Sequence, residues 1–180
     1  MLLVIDNGSV YTKNLIDFLH NKNISFEKQT PELLDLKLLD NYNSFILSGR
    51  RKNEKKTNEI NSKIINHAIQ NNKKLLGICY GAEILALTLG GTIRKLTFSQ
   101  KGTEIINIQR ENPLSIDNLQ VFESHGFEIS RLPDILLVIG ESKNCKFEII
   151  QYDKKSIFGT QFHPEMSSDG QNLIQKFCSL

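Results

Sequence analysis

The chain has 180 residues, a formal net charge of +2, and 39% apolar and 23% charged residues. This composition fits one globular domain over 1–180 and excludes a disordered or fibrous chain. The near balance of charge argues against nucleic acid or a membrane as the main partner, and no apolar run approaches the ~20 residues of a bilayer crossing.

The opening run, residues 2–6, is apolar and stops at Asn7-Gly8, a turn signal. It lacks the basic start and cleavage pattern of a signal peptide and reads as a first strand. Residues 10–20 carry Val10, Leu15, Ile16 or Phe18, and Leu19 near one helical face. Residues 24–29 alternate like a strand, and 31–40 read as a helix with Pro31 at its start. A strand over 44–49 closes on Gly49, and the charged run Arg50–Lys56 reads first as a solvated loop. A helix over 57–70 is expected, with Thr57 as its cap. Residues 74–78 form a strand, and the helix after them is stopped by Gly90-Gly91. Alternation at this spacing predicts βαβ units and an open, mostly parallel sheet flanked by helices. The second half is strand-rich, with strands expected over 92–96, 103–108, 119–124, 135–142, 147–153 and 156–162, then a helix over 169–179.

Two stretches carry chemistry. Gly77-Ile78-Cys79-Tyr80-Gly81 sits where a strand hands over to a helix, which is the cysteine form of a nucleophile elbow. The glycines leave room for the sharp turn. The helix N-terminus favours thiolate over thiol, and the next backbone N–H groups can donate to an oxyanion. The competing reading is a buried cysteine at a tight turn. The second stretch is Gly159-Thr160-Gln161-Phe162-His163-Pro164-Glu165, in which Pro164 ends a strand just after His163. Positions two apart in extended chain share a face, so Glu165 can bond one nitrogen of His163 while the other faces a thiol. Cys145 and Cys178 complete an odd, widely spaced set with Cys79. No CxxC pair, no metal-ligand cluster involving His20, His67, His125 or His163, and no phosphate-binding glycine loop is present. No metal or cofactor is therefore expected on this chain, and a reducing cytoplasm is the expected compartment.

GICYGAEILA followed by TQFHPE resembles the class I glutamine amidotransferases, whose Cys-His-Glu triad hydrolyses glutamine to glutamate and ammonia. VIDNGSVYTKNL, FILSG and LGGTI occur in that family's order. The resemblance therefore spans 1–180 as a single glutaminase domain and implies the family's flavodoxin-like α/β fold. ESHGFEISRLP is most similar to the glutaminase subunit of GMP synthetase, and the short chain is similar to the two-subunit form found in archaea. The resemblance implies Cys79 as nucleophile, His163 as acid/base and Glu165 as its orienter. The backbone N–H groups of Tyr80 and Arg50 would form the oxyanion hole, and Gly49, Glu83 and His125 would lie at the glutamine site. The implied partner is an ATP-pyrophosphatase-type synthetase subunit, which would carry ATP and magnesium and aminate XMP; the position and charge of the Arg50–Lys56 run make it a candidate docking contact.

The chain also departs from the family. Gly81-Ala82-Glu83 stands where Gly-His-Gln is usual, Ser48-Gly49-Arg50-Arg51 where Ser-Gly-Gly-Pro is usual, and Met166-Ser167-Ser168-Asp169-Gly170 where Val-x-His-Thr is common. Glu83 can pair with a substrate ammonium but cannot donate an amide hydrogen bond. Two alternatives therefore stay open. One is a glutaminase for another acceptor, as in anthranilate or aminodeoxychorismate synthesis; the other is a catalytically weakened regulatory subunit on the same fold.

Overall fold

Four short apolar runs, each covered on both faces, and one more polar edge strand build the parallel half of a nine-stranded sheet. The computed structural model describes all residues, 1–180. The parallel strands are β1 (Leu2–Ile5), β2 (Phe26–Gln29) at the edge, β3 (Ser44–Leu47), β4 (Lys74–Ile78) and, late in the chain, Ile157–Thr160. The helices among them are α1 (Thr12–Asn21), α2 (Lys55–Gln70) and α3 (Tyr80–Thr88). The antiparallel half is β5 (Thr92–Ile108), β6 (Leu119–Arg131), β7 (Leu136–Glu141) and β8 (Ile149–Tyr152). Ile157–Thr160 is β9, and α4 (Ser168–Ser179) follows it. The spatial order is β2-β1-β3-β4-β9-β8-β7-β5-β6, parallel from β2 through β9 and antiparallel beyond.

The strand period of two divides the core. Leu2, Val4, Ile46, Leu76 and Phe158 face α1 and α4, meeting Leu15, Leu19, Leu173, Ile174 and Phe177. Leu3, Ile5, Phe45, Leu47 and Leu75 face α2 and α3, meeting Ile64, Ile65, Ala68, Leu85 and Ala86. Central strands buried on both faces are what a helix-covered parallel sheet requires.

Several expected boundaries change. Residues 31–40 are not one helix. The carbonyl of Thr30 takes the N–H groups of Leu33 and Leu34 in a turn, and the Asp35 carboxylate then accepts from Lys37 N at 3.0 Å. That cap starts a separate 3-10 helix over Leu36–Asn41. Thr57 does not cap α2, which begins at Lys55 after Glu54; Thr57 is buried within it. The two strands expected over 92–108 are one, β5, with a register shift between Lys95 and Gln100. Gly102, at φ +137, stays paired with Glu123 and does not end the strand. The strand expected over 119–124 runs on through the Ser-His-Gly stretch as part of β6, where Ser124 pairs with Lys101 and His125 with Gln100.

Candidate active site

β4 and β9 are parallel neighbours, with Ile78 beside Thr160, so both chemistry-bearing stretches leave the sheet at the same edge. Cys79 N donates to Thr160 O at 2.7 Å. Cys79 itself sits at φ 50, ψ −104, a positive-φ conformation uncommon for a residue with a side chain. The glycine frame has a direct steric cause. A Cβ on Gly77 would collide with the backbone of Gly81, and one on Gly81 with the Leu47 carbonyl of β3. The turn is thus pressed between α3 and two strands.

The His163 imidazole is buried, and its Nδ1 lies 2.9 Å from Glu165 Oε1, also buried. His163 N donates to Phe122 O at 2.9 Å, which ties the segment to β6. The Tyr11 ring packs on the imidazole with centroids 4.5 Å apart, and its hydroxyl reaches Ser124 Oγ at 3.1 Å. Gly49 faces the same ring, since a Cβ there would stand 3.0 Å from His163 Cε1. Contacts from Tyr11 are invisible locally, because the residue that meets His163 lies at the opposite end of the chain.

The thiol does not follow the helix-dipole expectation. Burial, then the charges of Glu83 and Glu165, push Cys79 well above the ordinary cysteine value, against the lowering effect of the Tyr80 backbone N–H. The resting group is therefore a thiol, and a base must take its proton as it attacks.

Arg50 does not belong to the solvated run. Its side chain is only 13% exposed and lies with Nη2 3.9 Å from Glu83 Oε2, while Arg51, Lys52, Lys55 and Lys56 are exposed. Glu83 is buried and its other oxygen accepts from Gln161 Nε2 at 3.5 Å. Burial raises the Glu83 carboxyl, and Arg50 and Gln161 partly oppose this. His125 is buried within β6. Nδ1 lies 2.8 Å from Phe127 O and Nε2 3.0 Å from Glu123 Oε2. Burial alone would lower His125, but the hydrogen bond and charge of Glu123 outweigh it and raise it. Glu148, wholly buried beside Glu123, is pushed to about 10 by burial and by the Glu123 charge. Glu148 carries no sequence signal, whereas Glu123 stands two residues before His125 on the same strand face.

No group of three or more His, Cys, Asp or Glu side chains has metal-holding geometry, and no helix is long and apolar enough to cross a membrane. Chemically, the arrangement pairs a strained thiol-bearing elbow with a buried, carboxylate-anchored imidazole on the adjacent strand end.

Solved structures share this frame. A candidate GMP synthase component from Thermoplasma acidophilum superposes with a TM-score of 0.87 at 24% identity, covering 99% of this chain and 92% of that one. A glutamine amidotransferase from Thermotoga maritima gives 0.79 at 21% identity, covering 97% and 80%. At the sequence level, the glutamine-hydrolysing GMP synthase of Brucella melitensis is 34% identical over 111 residues, covering 57% of this chain. The chain spans 22% of the length of that relative. The sequence pattern of the glutamine amidotransferase class-I family matches residues 3–179, nearly everything from β1 to the end of α4. With the elbow and the His-Pro-Glu segment inside that match, the chain belongs to the class-I glutamine amidotransferase family.

Proposed function

We propose that this chain hydrolyses glutamine to glutamate and ammonia. The observation that carries the reading is the buried His163–Glu165 pair, 2.9 Å apart, beside a cysteine held at φ 50 on an elbow. Cys79 Sγ attacks the side-chain amide carbon of glutamine as His163 takes the thiol proton. The oxyanion is received by the backbone N–H groups of Tyr80 and Arg50. Collapse breaks the C–N bond, His163 returns its proton to the leaving ammonia, and a glutamyl thioester remains on Cys79. Water, deprotonated by His163, then attacks the thioester, releasing glutamate and restoring the thiol. Glu165 holds the imidazole in the tautomer that presents its free nitrogen to the thiol and stabilises the imidazolium that forms.

We further infer that the ammonia is passed to a separate synthetase subunit that uses ATP and magnesium to aminate XMP to GMP. The likeness to glutamine-hydrolysing GMP synthases supports this acceptor. The test is ammonia release from glutamine by the wild type and by Cys79→Ala, alone and with an ATP-pyrophosphatase-type synthetase. Ammonia from the wild type only, and GMP in the mixture, is the expected result. Absence of both ammonia and Cys79 labelling by a glutamine-analogue electrophile in every mixture overturns the glutaminase reading.

A further inference from the structure

Arg50 and Glu83, two positions where the chain leaves its family's pattern, meet in space, and a side chain of α2 holds Arg50 there. The Arg50 guanidinium carbon lies 4.2 Å from the centroid of the Tyr80 ring. Arg50 Nη1 donates to Asn58 Oδ1 at 3.0 Å and to Asn53 Oδ1 at 2.7 Å. The Tyr80 hydroxyl donates to the same Asn58 Oδ1 at 2.8 Å. One amide oxygen thus uses both its lone pairs to hold the side chains of the two residues whose backbone N–H groups are assigned to the oxyanion hole. Glu83, fixed from its other side by Gln161, closes the ring at 3.9 Å from Arg50 Nη2.

One turn along α2, Asn61 holds the same loop from below. It is wholly buried and donates to Asn7 Oδ1 at 2.8 Å. Asn7 in turn donates to Ser48 twice, N to Oγ at 2.9 Å and Nδ2 to the carbonyl at 3.0 Å. Positions 58 and 61 share a helix face. The geometry points to this Asn58/Asn61 face of α2 as the element that positions the oxyanion loop 48–50, with Asn58 a positioning residue acting through Arg50 and Tyr80.

A loop without the proline of its relatives has lost a backbone constraint, and without the second glycine it has lost easy access to positive φ. Here side chains of α2 and α3 hold the loop instead, and these anchors are complete within the free chain. Glu83 is then part of the anchor rather than an acceptor for a substrate ammonium. The inference rests on the glutaminase reading for its catalytic consequence, while the anchoring itself can be read without turnover.

The test compares Asn58→Leu, which keeps size but removes the acceptor, with Asn58→Asp, which keeps it. Asn58→Leu is expected to lower kcat for glutamine about tenfold to a hundredfold with KM within about twofold, because the loss falls on the transition state. Asn58→Asp recovers most of that loss. Alkylation of Cys79 by iodoacetamide, which needs a thiolate but no oxyanion hole, is unchanged in both. Amide hydrogen exchange over residues 48–53 speeds up about tenfold in Asn58→Leu and returns toward wild type in Asn58→Asp. Unchanged exchange in Asn58→Leu, an unchanged kcat, or a loss carried by KM overturns the inference. A wild type that makes no ammonia with or without a synthetase, while Asn58→Leu still loosens the loop, removes the glutaminase reading and leaves the anchoring intact.

Discussion

Substituting Gly81 by alanine separates the steric account of the elbow from ordinary helix propensity, because the two predict opposite signs. Gly81 lies in the first turn of α3, where alanine is favoured over glycine by about 1 kcal/mol. Were the turn merely a flexible helix start, Gly81→Ala would stabilise the protein. The structure opposes this. A Cβ at Gly81 would stand well inside 3.0 Å of the Leu47 carbonyl oxygen, with Leu47 Cβ at 3.1 Å. The oxygen belongs to the backbone of a central strand fully buried on both faces, so no rotamer change relieves the contact. Overpacking of this kind costs about 3 kcal/mol, the upper end of the usual range. Subtracting the helix gain leaves a net loss of about 2 kcal/mol, or a fall in Tm of roughly 4–8 °C for a domain of this size. Thermal melts followed by far-UV circular dichroism would read the shift, with Gly126→Ala as control. At Gly126 the nearest neighbour is the Ser99 hydroxyl at 3.1 Å, the end of a side chain that can turn away, so the expected change is within about 0.5 kcal/mol. A Gly81→Ala protein that melts at or above the wild-type temperature would refute the reasoning.

Two further outcomes concern protons. Burial and the charges of Glu83 and Glu165 hold Cys79 as a thiol, so its alkylation by iodoacetamide in the free chain should keep accelerating as pH rises past 9.0; a plateau below about pH 8 would contradict this. Burial and the Glu123 charge raise Glu148 from 4.5 to about 10, so between those values the folded chain keeps a proton that the unfolded chain has released. Stability contributed by that proton is complete below the unfolded value and declines as pH rises through the window. Glu148→Gln removes the titration, and its Tm advantage over the wild type should widen from about pH 5 to about pH 8; a gap independent of pH would exclude Glu148 as the source.

The parts of the fold that could be read from sequence are those governed by local period. Residues 2–5, 45–47 and 75–78 are continuous apolar runs because both their faces are covered, and they read directly as parallel strands. The elbow and the His163–Glu165 pair were legible as contiguous motifs, although Pro164–Met166 form a 3-10 turn and not the extended chain expected there. Pro31 misled, since its preference for a helix start says nothing about Asp35, whose carboxylate captures Lys37 N and starts a shorter helix further on. The break expected within 92–108 is absent because β6 pairs with β5 on both sides of the irregularity between Lys95 and Gln100. Tyr11 on His163 and Asn58 on Tyr80 were illegible for one reason. Each joins elements far apart in the chain, and the order β2-β1-β3-β4-β9 that brings them together is not written in any window of sequence.

That same sheet order turns two separate departures into one physical feature. A carboxylate at Glu83, in the first turn of α3, suits the positive end of the helix but adds a charge that raises the neighbouring Cys79 thiol. Left unpaired at 4% exposure it would be costly to bury and would work against the nucleophile. A guanidinium at Arg50 without a counter-charge would meet a similar penalty above the Tyr80 ring. Together they leave a buried pair with no net charge, and Arg50 draws the raised Glu83 carboxyl back toward its ionised form. Glu83 therefore requires Arg50. Asn58, in turn, gives that arginine a fixed direction, through an acceptor shared with the residue that follows the nucleophile. Arg50 and Glu83 are thus coupled by charge, and side chains of α2 and α3 hold the loop that lacks the proline.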